Sequence, residues 1–292
     1  MSSLSVSLLR GAVTSPFKRA GRSGAVLPTG RASLPPARSA PGPLASYSRV
    51  CGFTEPGVLP LTYPHVLGFP LAMRVMTGRA FPLPVLGLVH TWIDITRHRA
   101  LHPEDRLELT AYAAGLTPHR RGTEVTMVTE ARLAGELVWE SRSGYLSRHP
   151  TGTTAPAAGA AAVPTDLPAV AEWQLPGDLG RRYGAASGDR NPIHLYPLTA
   201  RLFGFPRHIA HGMWTVARCL AEAETGIGTE AGAEAGTGAG TVEPGRIRSV
   251  RADFRAPLPL PATVTYAAAG SDFEVRGKGR VHLTGSVTLD GS

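Results

Sequence analysis

The sequence predicts an α+β fold built twice, each half a curved antiparallel sheet wrapped around a buried helix. Three observations lead there. The stretch Tyr63 to Thr77 is apolar nearly all round, which suits a helix enclosed on every side. Several later stretches alternate apolar and polar residues with period two, as strands with one wet face do. The order helix, then strands, occurs once in each half of the 292-residue chain.

Taken in order, residues 1–45 are rich in Ser, Pro, Arg and Gly and carry no periodicity, so a basic N-terminal arm is expected. Seven basic residues precede the first acid, Glu55. That composition is shared with organellar transit peptides, but a surface-draped arm is the simpler reading. Residues 46–148 form the first unit. Its helix has Pro64 near the start, and Gly68 and Pro70 inside it predict a kink. Strands follow: Leu107, Leu109, Ala111 and Ala113 on one face, then Val125, Met127, Ala131 and Leu133. Gly135 to Arg148 completes the set, with Leu137 and Trp139 inward.

Residues 149–166 read as a low-complexity linker. The second unit spans 167–292. It has a helix from Gly212 to Glu224, a strand with Val250, Ala252 and Phe254 inward, and a last strand with Val281, Leu283, Val287 and Leu289 on one face. Residues 225–245, rich in Gly and Ala, are expected to be a disordered insert. Two similar units suggest a pseudo-dimer within one chain, with room for a homodimer of chains.

Composition excludes several classes. No apolar run is long enough to span a membrane. Two cysteines, Cys51 and Cys219, cannot make a disulfide scaffold or a four-cysteine zinc site. Both sit in apolar surroundings, as buried free thiols would, which points to a reducing, cytoplasmic setting. The net charge is +8, and the only lysines are Lys18 and Lys278. The arginines are interspersed with acids such as Glu130 and Asp253, so no nucleic-acid face is expected; an anionic small substrate fits the charge as well. Phosphate-loop and nucleophile-elbow motifs are absent.

The functional signal lies in Tyr183 to His194, YGAASGDRNPIH. Asp189, Asn191 and His194 stand around Gly188 and Pro192, which favour a turn. A carboxylate and an imidazole aimed at one point can hold a water and exchange protons with it near neutral pH, with Asn191 orienting one of them. Alone, GDRNP could be an Asx-capped turn beside a surface histidine. The segment FPRHIAHGMW adds weight, because Gly212 opens a helix whose free N–H groups can receive an oxyanion; close helix packing is the other reason for a glycine there. A metal on His194, His208, His211 and Asp189 is not expected, as His208 and His211 lack helical i, i+4 spacing.

These two segments resemble the MaoC-like dehydratases, which include the (R)-specific enoyl-CoA hydratases and carry a G-D-x-N-P-x-H run overhanging a hotdog fold. In the first unit CGF at 51–53, LTYPHVLGFPLAM at 61–73 and PVLGLVHTWIDI at 84–95 resemble the degenerate first hotdog of double-hotdog members. The resemblance covers residues 1–150 and 167–290, with 225–245 a departure. It implies a double hotdog and cofactor-free, reversible hydration of an acyl thioester carried on CoA or acyl carrier protein in fatty-acid or related metabolism. It also implies Asp189 and His194 as the catalytic pair, Asn191 as their support and the Gly212 N–H as the oxyanion donor. The first unit lacks the motif, so His65 and His90 are expected to be packed histidines and each chain to hold one site. A non-catalytic acyl-thioester-binding module is the alternative; an intact acid–base pair argues against it.

Overall fold

A computed structural model describes residues 25–54, 57–151, 166–234 and 246–290. The first half opens with strand β1 (Ala32–Ala37) and helices α1 (Pro41–Cys51) and α2 (Tyr63–Met76). Strands β2 (Val89–Arg97), β3 (Leu107–His119), β4 (Gly122–Leu133) and β5 (Glu136–Arg148) follow. The second half repeats the plan with β6 (Ala169–Leu175), then α3 (Leu179–Ser187), α4 (Pro192–Leu195), α5 (Pro197–Arg201) and the long α6 (Gly212–Glu234). It closes with β7 (Ile247–Phe254), β8 (Ala262–Ala269), β9 (Asp272–Gly277) and β10 (Arg280–Leu289).

The strand order is β1-β3-β4-β5-β2-β7-β10-β9-β8-β6. From either edge inward the two halves run through corresponding strands, so the chain is a double hotdog with internal pseudo-twofold order. The expected two sheets are joined edge to edge into one, through antiparallel pairing of β2 with β7. Ile93 faces Ala252 and Ile95 faces Val250 across this seam, and all four are fully buried. A slip of one residue would turn them to the wet face, so burial fixes the register of the seam.

Helix α2 is buried as expected. A Cβ on Gly68 would fall 2.4 Å from the Thr129 methyl of β4, so the glycine lets the helix lie directly on the sheet. The indole N–H of Trp139 is satisfied by the Leu61 carbonyl, and that of Trp214 on α6 by Val50 at the end of α1. Buried side chains of both halves form one continuous core. Cys51 and Cys219 are buried and free.

Two boundaries differ from the sequence reading. The arm expected over 1–45 gives way to structure well before its end, since β1 pairs with β3 and α1 begins at Pro41; residues 1–24 lie outside the described residues. The insert expected at 225–245 begins as helix, because α6 continues to Glu234. Its remainder, 235–245, and most of the linker, 152–165, lie outside the described residues. No helix among the described residues is long and apolar enough to cross a membrane.

Candidate active site

The sequence around Asp189 folds tightly because two glycines permit it. Helix α3 ends at Gly188, in the left-handed region at φ 79°, with its N–H returned to the Gly184 carbonyl. The chain then doubles back over the helix it has just left. A Cβ on Gly184 would lie 2.7 Å from the Asp189 carbonyl oxygen, and one on Gly180 would lie 2.0 Å from that of His194. Only glycine at both positions lets the loop close this far.

Local hydrogen bonds then set the side chains. The Ser187 hydroxyl accepts from the Asp189 N–H at 3.2 Å, and the Asp189 carboxylate accepts from the Asn191 N–H at 3.1 Å. The Asn191 side-chain oxygen caps α4 by accepting from the Ile193 N–H at 3.4 Å. The Asn191 backbone therefore orients the carboxylate, while its side chain shapes the turn that delivers His194.

His194 is buried, and its Nδ1 lies 2.8 Å from the Ile209 carbonyl oxygen. A carbonyl only accepts, so Nδ1 carries the proton and Nε2 of the neutral ring keeps its lone pair. His211 stacks on His194 with centroids 3.7 Å apart, and its Nε2 donates to the Asp189 backbone carbonyl at 3.0 Å. The Asp189 carboxylate is about one-quarter exposed, 3.8 Å from the same nitrogen. Tyr183 packs its ring against His211 at 4.8 Å.

One atom each of Asp189, His194 and His211 lie within 4.8 Å of one another. Two hydrogen bonds of about 2.8 Å meeting at a tetrahedral angle span about 4.6 Å, so one water can bridge carboxylate and imidazole. A metal fits this trio poorly. Imidazole lone pairs lie in the ring plane, and two rings stacked at 26° direct them side by side rather than onto one ion. His208 faces elsewhere, bonding the Gly177 carbonyl through Nε2.

Electrostatics bring the pair together. Burial pushes the Asp189 carboxyl up from 3.8, against the opposing pull of His194 and the Asn191 N–H. Burial pushes the His194 imidazole down from 6.5, opposed by Asp189 and the Ile209 carbonyl. His211 is pushed down further, by burial and by His194. Two affinities converging from opposite sides suit a pair that passes one proton back and forth.

Gly212 opens α6, where a backbone N–H has no acceptor within the helix. A Cβ there would lie 2.6 Å from the Phe254 ring, so close packing also requires glycine. Phe254 leads to the other half: His90 of β2 lies 4.6 Å from it and stacks on Tyr145 of β5 at 4.5 Å. The Tyr145 phenol is raised by burial and then by the nearby Asp189 charge. The site thus lies at the seam, with the first half forming its far wall. His65 bonds the Ser141 hydroxyl at 3.2 Å, whereas His90 Nε2 is buried with no hydrogen-bond partner among the described residues.

The sequence reading named Asp189, Asn191, His194 and Gly212, and the first three are brought into one hydrogen-bonded turn. It weighed His211 only as a metal ligand and missed its contact with Asp189. It also missed Gly180 and Gly184, whose four-residue spacing places both on the helix face beneath the loop.

Comparison with known proteins agrees with this geometry. Residues 172–290 match the MaoC like domain family. The chain is 35% identical over 255 residues to 3-hydroxyacyl-thioester dehydratase X of Mycobacterium tuberculosis, covering 85% of each. The crystal structure of that organism's HtdX superposes with a TM-score of 0.72 and 31% identity, covering 89% of this chain and all of that one. A MaoC-like dehydratase from Phytophthora capsici shares the fold, with a TM-score of 0.71 at 19% identity over 93% of this chain and 99% of that one.

Proposed function

The chain belongs to the MaoC-like dehydratase family, and from that premise we propose that it catalyses reversible hydration of trans-2-enoyl thioesters to (R)-3-hydroxyacyl thioesters. The observation that carries the reading is that a carboxylate oxygen of Asp189 and a ring nitrogen of His194 lie within 4.8 Å of each other, a gap one water can bridge, while the bond from Nδ1 to the Ile209 carbonyl leaves Nε2 unprotonated. In hydration, that pair takes a proton from the water as its oxygen bonds to C3. The electron pair of the C2–C3 double bond moves toward the thioester oxygen, where the Gly212 N–H and the helix field of α6 stabilise the enolate charge. The proton then returns to C2, so the pair ends as it began. Dehydration is the same path reversed, and neither direction needs a cofactor.

The first half lacks a second pair. Its part in this reading is to wall the acyl chain, with β2 and β5 closing the seam. The compartment proposed is the cytoplasm, where buried free thiols stay reduced.

The test is incubation with a short trans-2-enoyl-CoA, following loss of the conjugated enoyl-thioester absorbance and the chirality of the product. Turnover to the R alcohol supports the reading. Tight binding of the thioester with no turnover, across chain lengths and on both CoA and carrier protein, would replace it with a non-catalytic binding module.

A further inference from the structure

Immediately after His194 the chain exposes an apolar surface that the chemistry above does not use. Leu198 is 72% exposed, Leu202 79% and Phe203 37%, all on or just beyond α5. Tyr196, at the start of this stretch, is 52% exposed and lies under the Arg181 guanidinium at 5.1 Å. Large apolar residues clustered in this way are uncommon on a free surface. The overhang that carries them is held firmly. The Thr199 hydroxyl bonds the Pro192 carbonyl, and the Arg181 guanidinium bonds the Leu195 carbonyl.

The surroundings are strongly basic. Residues 179–207 hold five arginines and one acid, and that acid is Asp189 itself. Arg182, Arg190, Arg201 and Arg207 are exposed, and among the described residues none lies within ion-pair distance of a carboxylate. Elsewhere exposed arginines such as Arg38, Arg251 and Arg255 pair with Glu104 or Asp253. Others such as Arg49, Arg79 and Arg248 also have no carboxylate within ion-pair distance among the described residues, but these are scattered and not gathered beside the site. The charge beside the site is therefore left unbalanced where a ligand would arrive.

We propose that this overhang docks an acidic carrier protein that presents the acyl thioester to Asp189 and His194. The inference rests on the hydration reading above and specifies its substrate. Two features select this occupant. The diphosphate of a free CoA would satisfy arginines but has no use for three exposed apolar side chains. A second copy of this chain, paired through a twofold axis, would set one arginine cluster against another, and like charges across an interface oppose association. An acidic helical surface with a few apolar residues satisfies both the charge and the apolar patch.

The experiment compares one short trans-2-enoyl chain on CoA and on an acidic acyl carrier protein. The enzymes are wild type, Leu202→Ser and the double variant Arg201→Glu, Arg207→Glu, each checked for an unchanged melting temperature. The expected result is a KM for the carrier-bound substrate raised about tenfold or more in the variants, with CoA kinetics within about twofold of wild type. Equal losses on both substrates, no change on either, or no wild-type turnover of the carrier-bound chain while CoA is hydrated would overturn the proposal. So would a change of oligomeric state in the variants with both sets of kinetics intact, which would make the patch a self-interface. Absence of wild-type turnover on either substrate would instead defeat the hydration reading itself.

Discussion

The imidazole of His194 donates through Nδ1 to the carbonyl of Ile209 at 2.8 Å, and the Ile209 N–H returns to the neighbouring Ile193 carbonyl at 3.1 Å. This two-way link joins the segment carrying the acid–base pair to the segment that leads into Gly212. It also leaves Nε2 as the only nitrogen of His194 able to accept a proton. Asparagine can reproduce the Nδ1–H donor but offers no second nitrogen in the Nε2 position. His194→Asn should therefore fold with a melting temperature near wild type and lose about 100-fold or more in kcat. Retained turnover would show that Nε2 is not the base.

Gly184 and Gly180 set how closely the Asp189 loop can approach its own helix. Gly184→Ala places a methyl 2.7 Å from the Asp189 carbonyl, a backbone atom that moves only with the loop. The variant should lose about 1–3 kcal/mol of stability by overpacking. Its kcat should fall while thioester binding persists, because the carboxylate is displaced from His194. Gly180→Ala, with a closer clash at the His194 carbonyl, should be the more damaging of the two. Urea unfolding and steady-state kinetics on both variants check this order.

At Gly212 packing and chemistry can be separated. Gly212→Ala keeps the backbone N–H but drives a methyl into the Phe254 ring, 2.6 Å away. The single variant should be unstable and slow. Adding Phe254→Leu removes the obstructing ring edge, and the pair should recover stability and turnover together, a non-additive result for residues in contact. Recovery of stability without turnover would mean that residue 212 contributes more than a donor and a small profile.

The buried histidines of the first half make stability depend on pH. Burial lowers His65 to about 4 and His90 to about 3, from 6.5. The unfolded chain therefore takes up these protons first as pH falls. The contribution of these two histidines is complete above about pH 6.5 and is lost below it, by about 1.4 kcal/mol per pH unit for each histidine inside its window. His90→Phe removes one such proton and also a buried nitrogen with no partner among the described residues. It should be neutral or stabilising at pH 7 and should flatten the decline between pH 6 and 4 in urea titrations. Its turnover should stay near wild type if each chain has one site.

Much of the plan was legible because hydrophobic period reports burial. Helix α2 is buried on nearly every side and strand β3 buries the alternating set Leu107, Leu109 and Ala111, whereas β4, β5 and β10 also bury neighbouring residues on the opposite face, such as Val138 beside Trp139. What escaped depends on partners distant in sequence. Strand β1, ASLPPA, carries two prolines and reads as a loop; it is a strand because, among the described residues, it lies at the sheet edge, paired with β3 alone and irregular between Leu34 and Ala37. The union of both halves into one sheet rests on β2 meeting β7, which no local pattern encodes. In the site, the motif residues were visible as a constellation. The Asn191 backbone bond, the stacking of His211 and the clearance at Gly180 and Gly184 follow from a loop folding back on its helix.

The most direct test of the account is hydration of a short trans-2-enoyl-CoA by wild type beside Asp189→Asn and His194→Gln, each verified as folded. The account predicts measurable wild-type turnover and a fall of about 100-fold or more in both variants, with binding of the thioester retained. Turnover that survives either substitution in a folded protein would contradict the assignment of Asp189 and His194 as the pair that moves the proton.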